Sequence, residues 1–377
     1  MEQTARHPEG RYTIVRMLGS GVYGRVFECK DEADNAKVAV KAVRAEAVYR
    51  EAAKREILAL QQVGVHDNVC RMLRYFDFQG HICVVQELIS GGTLYDDLQQ
   101  HGGYSLYFTQ GITKQLLAGL GHIHKCDVLH TDIKTDNIMI DGHSSDGTPL
   151  IKIVDLGSAI MGSMRHPNMI GTKEYRSPEA VLQAGWSSAA DVWALGCCIF
   201  EVYTGQRLFE FDYEITQLYM MERVLGTKMP GRLVRRGVMN RNKHNTYLLC
   251  TDTCALARPV GVEVNKIYAA KPLREEIGDR NLRSLLQLML AMDPEERPSA
   301  KALAGHAFCV EELKALPPKK LADEELSDCS TRDCNGESSH RSSFDLCGGS
   351  DTPAEDYAGI SNSLEEMVLK EKVLEVK

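Results

Sequence analysis

The stretch HTDIKTDN at 130 to 137, a polar turn, and then IKIVDLG at 151 to 157 leave this chain less freedom than any other part of it. They place Asp132, Lys134, Asn137 and Asp155 on two loops that can meet over one phosphate. A triphosphate needs cations and donors around it while a hydroxyl is held in line for attack. Asp132 can accept the proton of that hydroxyl, and Lys134 can neutralise the transferring group. Asn137 offers a neutral oxygen to a hard cation, and Asp155, after the apolar run IKIV, offers a carboxylate to the same ion. Gly157 leaves the backbone beside Asp155 free to turn. DLG follows Asn137 by eighteen residues, and the two segments together read as phosphoryl-transfer chemistry.

An upstream half is present in matching order. GSGVYGRV at 19 to 26 lies between the extended runs RYTIVRML and VFEC. Its glycines let a hairpin close over phosphates with backbone N–H groups facing the ligand, so Gly19, Ser20, Gly21 and Gly24 are the cradle positions. Such hairpins serve many folds, and Lys41 is what gives this one weight. It sits in KVAVKAV, where Val40 and Val43 read as strand, and it can reach the alpha and beta phosphates. Residues 46 to 62, EAVYREAAKREILALQQ, read as a helix with Val48, Ala52, Ile57 and Leu60 on its apolar stripe. Glu56 lies near that stripe and is the expected partner of Lys41, whereas Glu51 and Arg55 are expected to pair on the surface.

These residues, in this order, resemble the protein kinase signature. The resemblance runs from about Arg11 to Val310. GTKEYRSPE at 171 to 179 resembles the end of an activation segment, DVWALGCCIFEVYTG at 191 to 205 the buried helix that follows, and DPEERPSAKALAGHAF at 293 to 308 supplies Arg297 as the structural partner of Glu179. Within the kinases the chain is similar to the LAMMER, or CDC2-like, family of the CMGC group. EITQLYMMERVLG at 214 to 226 approximates the element that gives the family its name, although a methionine stripe at helical spacing is ordinarily core. YREAAKREILAL, HTDIKTDNIM, IKIVDLGSA and AAKPLREEI resemble further LAMMER segments.

The resemblance implies an α+β, bilobal protein kinase fold: a small, mainly β N-lobe with one long helix, and a larger, mainly α C-lobe. It implies one kinase domain at 11–313, with the N-lobe at 11–89, a hinge at about 87–92, and the C-lobe at 93–313 carrying an insert at about 228–271. Glu87 and Ile89 would present backbone groups to adenine, Val26, Ala39 and Met139 would contact its ring, and Gln86 would guard the deeper pocket. Thr172 would hold Asp132 and Lys134. The implied cofactors are ATP and Mg2+, with Mn2+ as a substitute. The implied substrates are Arg/Ser-rich splicing factors, phosphorylated on Ser or Thr, with tyrosine autophosphorylation as a further activity. A monomer in the nucleus or cytoplasm is expected.

The departures are informative. Thr131 stands where most kinases carry an arginine that grips a phosphorylated activation loop, so this enzyme is expected to need no such phosphate. The SR-protein kinases share the HTD sequence. Leu156 replaces the usual Phe, Thr135 and Asp136 replace the family's Pro and Glu, and the insert lacks its His-rich, Asp-rich stretch. Arg176 would shape the pocket for the residue after the phosphate acceptor.

Composition bounds the remaining readings. Residues 321–377 hold 14 Asp and Glu against 5 Lys and Arg, so of the chain's net −8 the rest contributes about +1. That acidic, Ser- and Gly-rich tail reads as disordered, ending in a short amphipathic helix over ISNSLEEMVLKEKVLEVK. A nearly neutral folded part with no interleaved aromatic and basic run argues against nucleic-acid binding. The 12 cysteines form no zinc pattern and are expected as reduced, mostly buried thiols. The sequence has no apolar stretch of membrane-spanning length, and MEQTARHPEGRY is not expected to act as a secretory leader. The basic cluster Lys228, Arg232, Arg235, Arg236, Arg241 and Lys243 reads as a solvated insert or as a contact for import or phosphorylated substrate. A non-catalytic scaffold would be expected to lack one of Lys41, Asp132, Asn137 and Asp155, and all four are present.

Overall fold

A computed structural model describes residues 11–162, 169–239, 248–250, 255–257 and 263–313. The tail at 321–377, its terminal helix, Arg241, Lys243 and Cys254 lie outside the described residues.

The small lobe is an antiparallel sheet of β1 (Tyr12–Gly21), β2 (Gly24–Asp31), β3 (Lys37–Val43), β4 (Met72–Phe78) and β5 (His81–Glu87), in the order β1-β2-β3-β5-β4. Side chains alternate across a strand, so the sheet has two functional faces. Val38, Val40 and Ala42 point into a separate cluster with Phe27, Cys83 and Phe76. Ala39, Lys41 and Val43 point the other way, and Val43 joins the main core. Val26 is directly opposite Lys41 in the ladder and shares its face. The β1–β2 hairpin is pressed against the end of β3. A Cβ at Gly24, where φ is +152°, would collide with the Ala42 carbonyl, so only glycine fits.

Helix α1 (Ala47–Val63) packs against this second face and stops at Gly64, φ +67°. Its buried residues are Ala52, Ala53, Glu56, Ile57, Ala59, Leu60 and Val63. Val48 is 69% exposed, contrary to the stripe read from sequence, because the inward position of the first turn belongs to Tyr49. The spacing Tyr49, Ala53, Glu56, Leu60 and Val63 is the one that meets the sheet. Glu51 bonds Lys54 at 2.6 Å rather than the expected Arg55.

The large lobe begins with α2 (Leu94–His101), capped by Thr93 Oγ1 accepting from Asp96 N, and α3 (Leu106–Lys125). Two short ribbons follow, β6 (Val128–Leu129) with β9 (Ile160–Met161), and β7 (Ile138–His143) with β8 (Pro149–Ile153). After α4 (Pro178–Val181), α5 (Ala189–Thr204) is apolar on all sides and buried from Ala190 to Val202, the centre around which the lobe is built. In α6 (Glu214–Leu225) the methionine stripe is core, with Met220 and Met221 buried. The insert contributes α7 (Gly231–Met239), the ribbon β10 (Leu249–Cys250) with β11 (Ala255–Leu256), and α8 (Glu263–Ala269). Lys228 pairs with Glu222, Arg232 with Asp293 and Glu295, and Arg236 with Glu295, so much of the basic cluster is neutralised in place.

Cys29, Cys70, Cys83, Cys126, Cys197, Cys198 and Cys309 are unpaired thiols, and all of these but Cys126 are buried. Burial pushes the thiols of Cys29, Cys70 and Cys83 up to about 12, which keeps them protonated and inert. No helix among the described residues is long and apolar enough to cross a membrane.

Candidate active site

The loop carrying Asp132 is held from beneath by α5. The backbone N–H groups of His130 and Thr131 each donate to Asp191 at 2.8 Å, and His124 Nε2 lies 2.9 Å from the same carboxylate. Burial drives the Asp191 carboxyl upward, but His124 and the backbone donors outweigh it and hold the group below its usual range. Thr131 adopts φ +66°, a strained conformation for a β-branched residue. Its hydroxyl donates to Ser158 O at 2.8 Å, which ties the segment after Asp155 to this loop.

Above that support, Asp132 Oδ1 accepts from Thr172 N at 3.0 Å and from Thr172 Oγ1 at 2.7 Å. Lys134 Nζ donates to Thr172 Oγ1 at 3.1 Å and stands 3.4 Å from Asp132 Oδ2. Asn137 Nδ2 donates to Asp132 O at 2.8 Å and to Asp132 Oδ2 at 3.2 Å. One threonine hydroxyl therefore orients both the carboxylate and the ammonium.

Asp155 follows β8 in a left-handed conformation, φ 61° and ψ 79°. Its Oδ1 accepts from Gly157 N at 3.2 Å and from Lys41 Nζ at 3.1 Å. A Cβ at Gly157 would stand 2.9 Å from that oxygen, so a side chain there would displace the Asp155 carboxylate from this position. Leu156 is turned into the main core. Lys41 Nζ also donates to both Glu56 oxygens, at 2.8 and 2.9 Å, so α1 fixes the lysine. Burial works against the charge on Lys41, but Asp155 and Glu56 prevail and raise it above the ordinary lysine range. Lys41 in turn holds Asp155 below the usual carboxylate range. Burial pushes Glu56 upward against the pull of Lys41.

Lys41, Asp132, Lys134, Asn137, Asp155 and Thr172 line one cleft of about 1690 Å³ between the lobes, together with Gly19, Ser20, Gly21, Gly24 and Val26. Ala39, Glu87, Ile89 and Met139 are not among its lining residues. Ala39 lies on the Lys41 face of the sheet, and Met139 is bridged to Thr93 at the lobe junction. Glu87 N–H donates to Arg71 O at 3.1 Å, and the Glu87 carboxylate accepts from Arg71 N at 2.8 Å and Lys152 Nζ at 3.0 Å. Ile89 is buried.

The donor set suits a hard divalent cation that is shared with a phosphate. No cluster of three His, Cys, Asp or Glu side chains able to hold a metal occurs among the described residues. Asn137 turns its amide nitrogen to Asp132, which leaves its oxygen able to meet a cation, and Asp155 keeps Oδ2 beside the bonded Oδ1. Mg2+ is commonly bound this way, by one or two protein oxygens with phosphates and waters completing the octahedron.

Farther out, Glu179 and Arg297 form a fully buried bidentate pair at 2.6 and 2.7 Å. Arg176 donates to the carbonyls of Ile170 and Gly171 and to Glu214 Oε1 at 2.8 Å, beside the outer wall of the cleft. Sequence reasoning placed Asp191 on the buried helix without giving it a role. A lone carboxylate at the head of an apolar helix is itself a signal, since it must find buried donors. The Thr131 to Ser158 bond had no such signal.

The family model described as Protein kinase domain matches residues 12–309. Among curated proteins, Dual specificity protein kinase CLK2 of Homo sapiens is 32% identical over 341 residues, covering 83% of this chain and 66% of that one. Serine/threonine-protein kinase AFC3 of Arabidopsis thaliana is 31% identical, covering 79% and 82%. Dual specificity protein kinase lkh1 of Schizosaccharomyces pombe is 29% identical, covering 81% of this chain but only 48% of its own, so the chain spans about half the length of that relative. A solved kinase domain superposes with a TM-score of 0.73 at 27% identity, covering 79% of this chain and 95% of the other.

Proposed function

The chain belongs to the protein kinases, among the LAMMER kinases of the CMGC group, and from that premise we propose that it moves the γ-phosphoryl group of ATP to Ser or Thr of Arg/Ser-rich proteins. The supporting observation is the joining of Asp132, Lys134 and Thr172 in one bonded set facing Asn137 and Asp155.

Asp132 Oδ1 is committed to Thr172, so Oδ2 is the oxygen that orients the substrate hydroxyl and takes its proton. Lys134 places its charge beside the transferring group, and Thr172 keeps both side chains in register. Bound ATP with Mg2+ supplies the phosphoryl group and the counter-charge of its phosphates. Asn137 and Asp155 would hold the cation, with Mn2+ as a substitute. Lys41 contacts the alpha and beta phosphates, anchored by Glu56. Gly19, Ser20, Gly21 and Gly24 cover the phosphates with backbone N–H groups. Val26 would contact the adenine from the cleft wall, and Ala39 and Met139 would meet it at the lobe junction, with the Glu87 carbonyl and the Ile89 backbone at its edge.

The domain at 11–313 acts as a monomer on protein substrates, in the nucleus or cytoplasm. Tyrosine autophosphorylation is a second activity of the same site, supported by the dual-specificity names of two relatives. The test is initial rates with ATP, Mg2+ and a peptide panel that varies the flanks of one Ser. Arg-rich flanks should give the highest kcat/KM. Equal use of acidic or Pro-directed peptides would overturn the substrate assignment, and no transfer to any peptide would overturn the activity.

A further inference from the structure

Resting on the kinase reading, we infer that Tyr49 is a positioning residue that couples the Gly-rich hairpin to helix α1, and so couples nucleotide binding to the placement of Glu56. The hairpin between β1 and β2 presents one aromatic side chain at its tip, Tyr23, which lines the cleft. Its ring stands edge-on to Tyr49, with centroids 6.1 Å apart and planes at 90°, a favoured arrangement for an aromatic pair. Tyr49 lies in the first turn of α1. The Arg44 guanidinium lies 5.1 Å from the centroid of the Tyr49 ring, and the Arg44 amide donates to Tyr23 O at 3.1 Å. Hairpin tip, β3–α1 connection and the first turn of α1 thus form one bonded and stacked unit.

The unit has two ends with distinct chemistry. Glu56 stands two turns along α1 from Tyr49 and bonds Lys41, while the hairpin carries Gly19, Gly21 and Gly24 at the cleft wall. A nucleotide that draws the hairpin down also moves Tyr23, and through Tyr49 it biases the helix toward the Lys41–Glu56 arrangement. Glycines on both sides of the tip make the hairpin soft, so a side-chain contact is the direct way to limit its excursions. Tyr49 also packs on the main core, so its role has to be separated from general stability.

The experiment measures steady-state kinetics with ATP and an Arg/Ser-rich peptide. Turnover by the wild-type protein establishes the premise, and its absence would sink the kinase reading before this one is reached. Tyr49→Ala should raise the KM for ATP about three- to tenfold, the range expected for one aromatic contact. Peptide KM should stay within about twofold of the wild type. Tyr49→Phe keeps the ring and should restore the ATP KM, and Tyr49→Leu, which keeps bulk for folding, should behave as Tyr49→Ala. Adding Tyr23→Ala to Tyr49→Ala should raise the ATP KM by less than twofold more, because the shared contact is already gone. An unchanged ATP KM in both Tyr49→Ala and Tyr49→Leu would overturn the coupling, as would a Phe variant as impaired as Ala or fully additive effects of Tyr23 and Tyr49.

Discussion

Replacing Glu179 by Met keeps the volume of the side chain nearly constant while removing the carboxylate that pairs with Arg297. Both side chains are 0% exposed, so the guanidinium is left charged and dry. Its remaining bonds soften the loss: Nε still donates to Ala291 O at 2.7 Å, and the two terminal nitrogens to Ala189 O at 3.0 Å and Met292 O at 3.3 Å. The Trp193 ring, 5.0 Å from the guanidinium carbon, adds a weaker attraction. Breaking a buried pair from one side costs about 3–5 kcal/mol, and with three carbonyls still in place the lower half of that range is expected. For a domain of about 300 residues, with an unfolding entropy of about 0.6 kcal/mol/K, that corresponds to a fall in Tm of about 5–6 °C. Urea denaturation and thermal melts of the single variant and of the double variant Glu179→Met with Arg297→Met provide the check. The double variant should recover stability relative to the single one, because the stranded charge is gone. It should stop short of the wild type, because three carbonyls lose their donors. A single variant within 1 kcal/mol of the wild type, or a double variant less stable than the single, would refute the argument that stranded charge is what matters.

Asp132→Asn should leave ATP binding nearly intact and lower kcat by at least a hundredfold, read by nucleotide-binding titration beside steady-state rates. Asp155→Ala should shift the Mg2+ concentration for half-maximal activity upward at least tenfold, and an unchanged Mg2+ titration would mean the ligand is misassigned. Phosphatase-treated protein from a bacterial host should keep its activity, because Thr131 bonds Ser158 O without any phosphate; a drop to background that only an upstream kinase restores would defeat this. His66 is held below its ordinary value by burial and by the stacked His122, with Asp67 pulling the other way and Lys152 adding to the lowering. Its Nδ1 accepts from Asn68 N, a bond that protonation removes, so the stability it contributes is present above about pH 6.5 and lost as pH falls through the lower folded value. Melts between pH 7.5 and 5.5 should show a flatter slope for His66→Gln than for the wild type.

What the sequence made legible was chemistry carried by single residues at fixed spacing. Asp132, Lys134, Asn137 and Asp155 could be singled out because each is a residue type that phosphoryl transfer calls for, and the Lys41–Glu56 bond could be expected because a strand lysine and a helix glutamate offered a charge pair. Packing geometry was less legible. Val48 was placed on the buried stripe by its apolar type, yet a shift of one residue makes Tyr49 the inward position, and periodicity over one helical turn cannot resolve such a shift. Glu51 found Lys54 and not Arg55 because long side chains on a helix surface reach either the i+3 or the i+4 neighbour at similar cost. The Thr131 hydroxyl and the Tyr23–Tyr49 contact depend on where a loop meets a distant element, which composition does not encode.

The site's rigidity comes from its buried side. Asp132 sits on a loop, and a loop alone would leave its carboxylate free to wander by more than catalysis tolerates. Three connections remove that freedom. Asp191, on the helix at the centre of the lobe, takes the N–H groups of the two residues before Asp132. Thr131 gives its own hydroxyl to the strand of chain that follows Asp155. Thr172, from the far end of the same segment, grips the carboxylate itself. An arginine at position 131 would bring a positive charge that is satisfied only when an anion is delivered to it. Threonine makes a neutral bond to a carbonyl that is always present, so both ends of the segment between Asp155 and Glu179 are anchored to the Asp132 loop by the chain's own atoms.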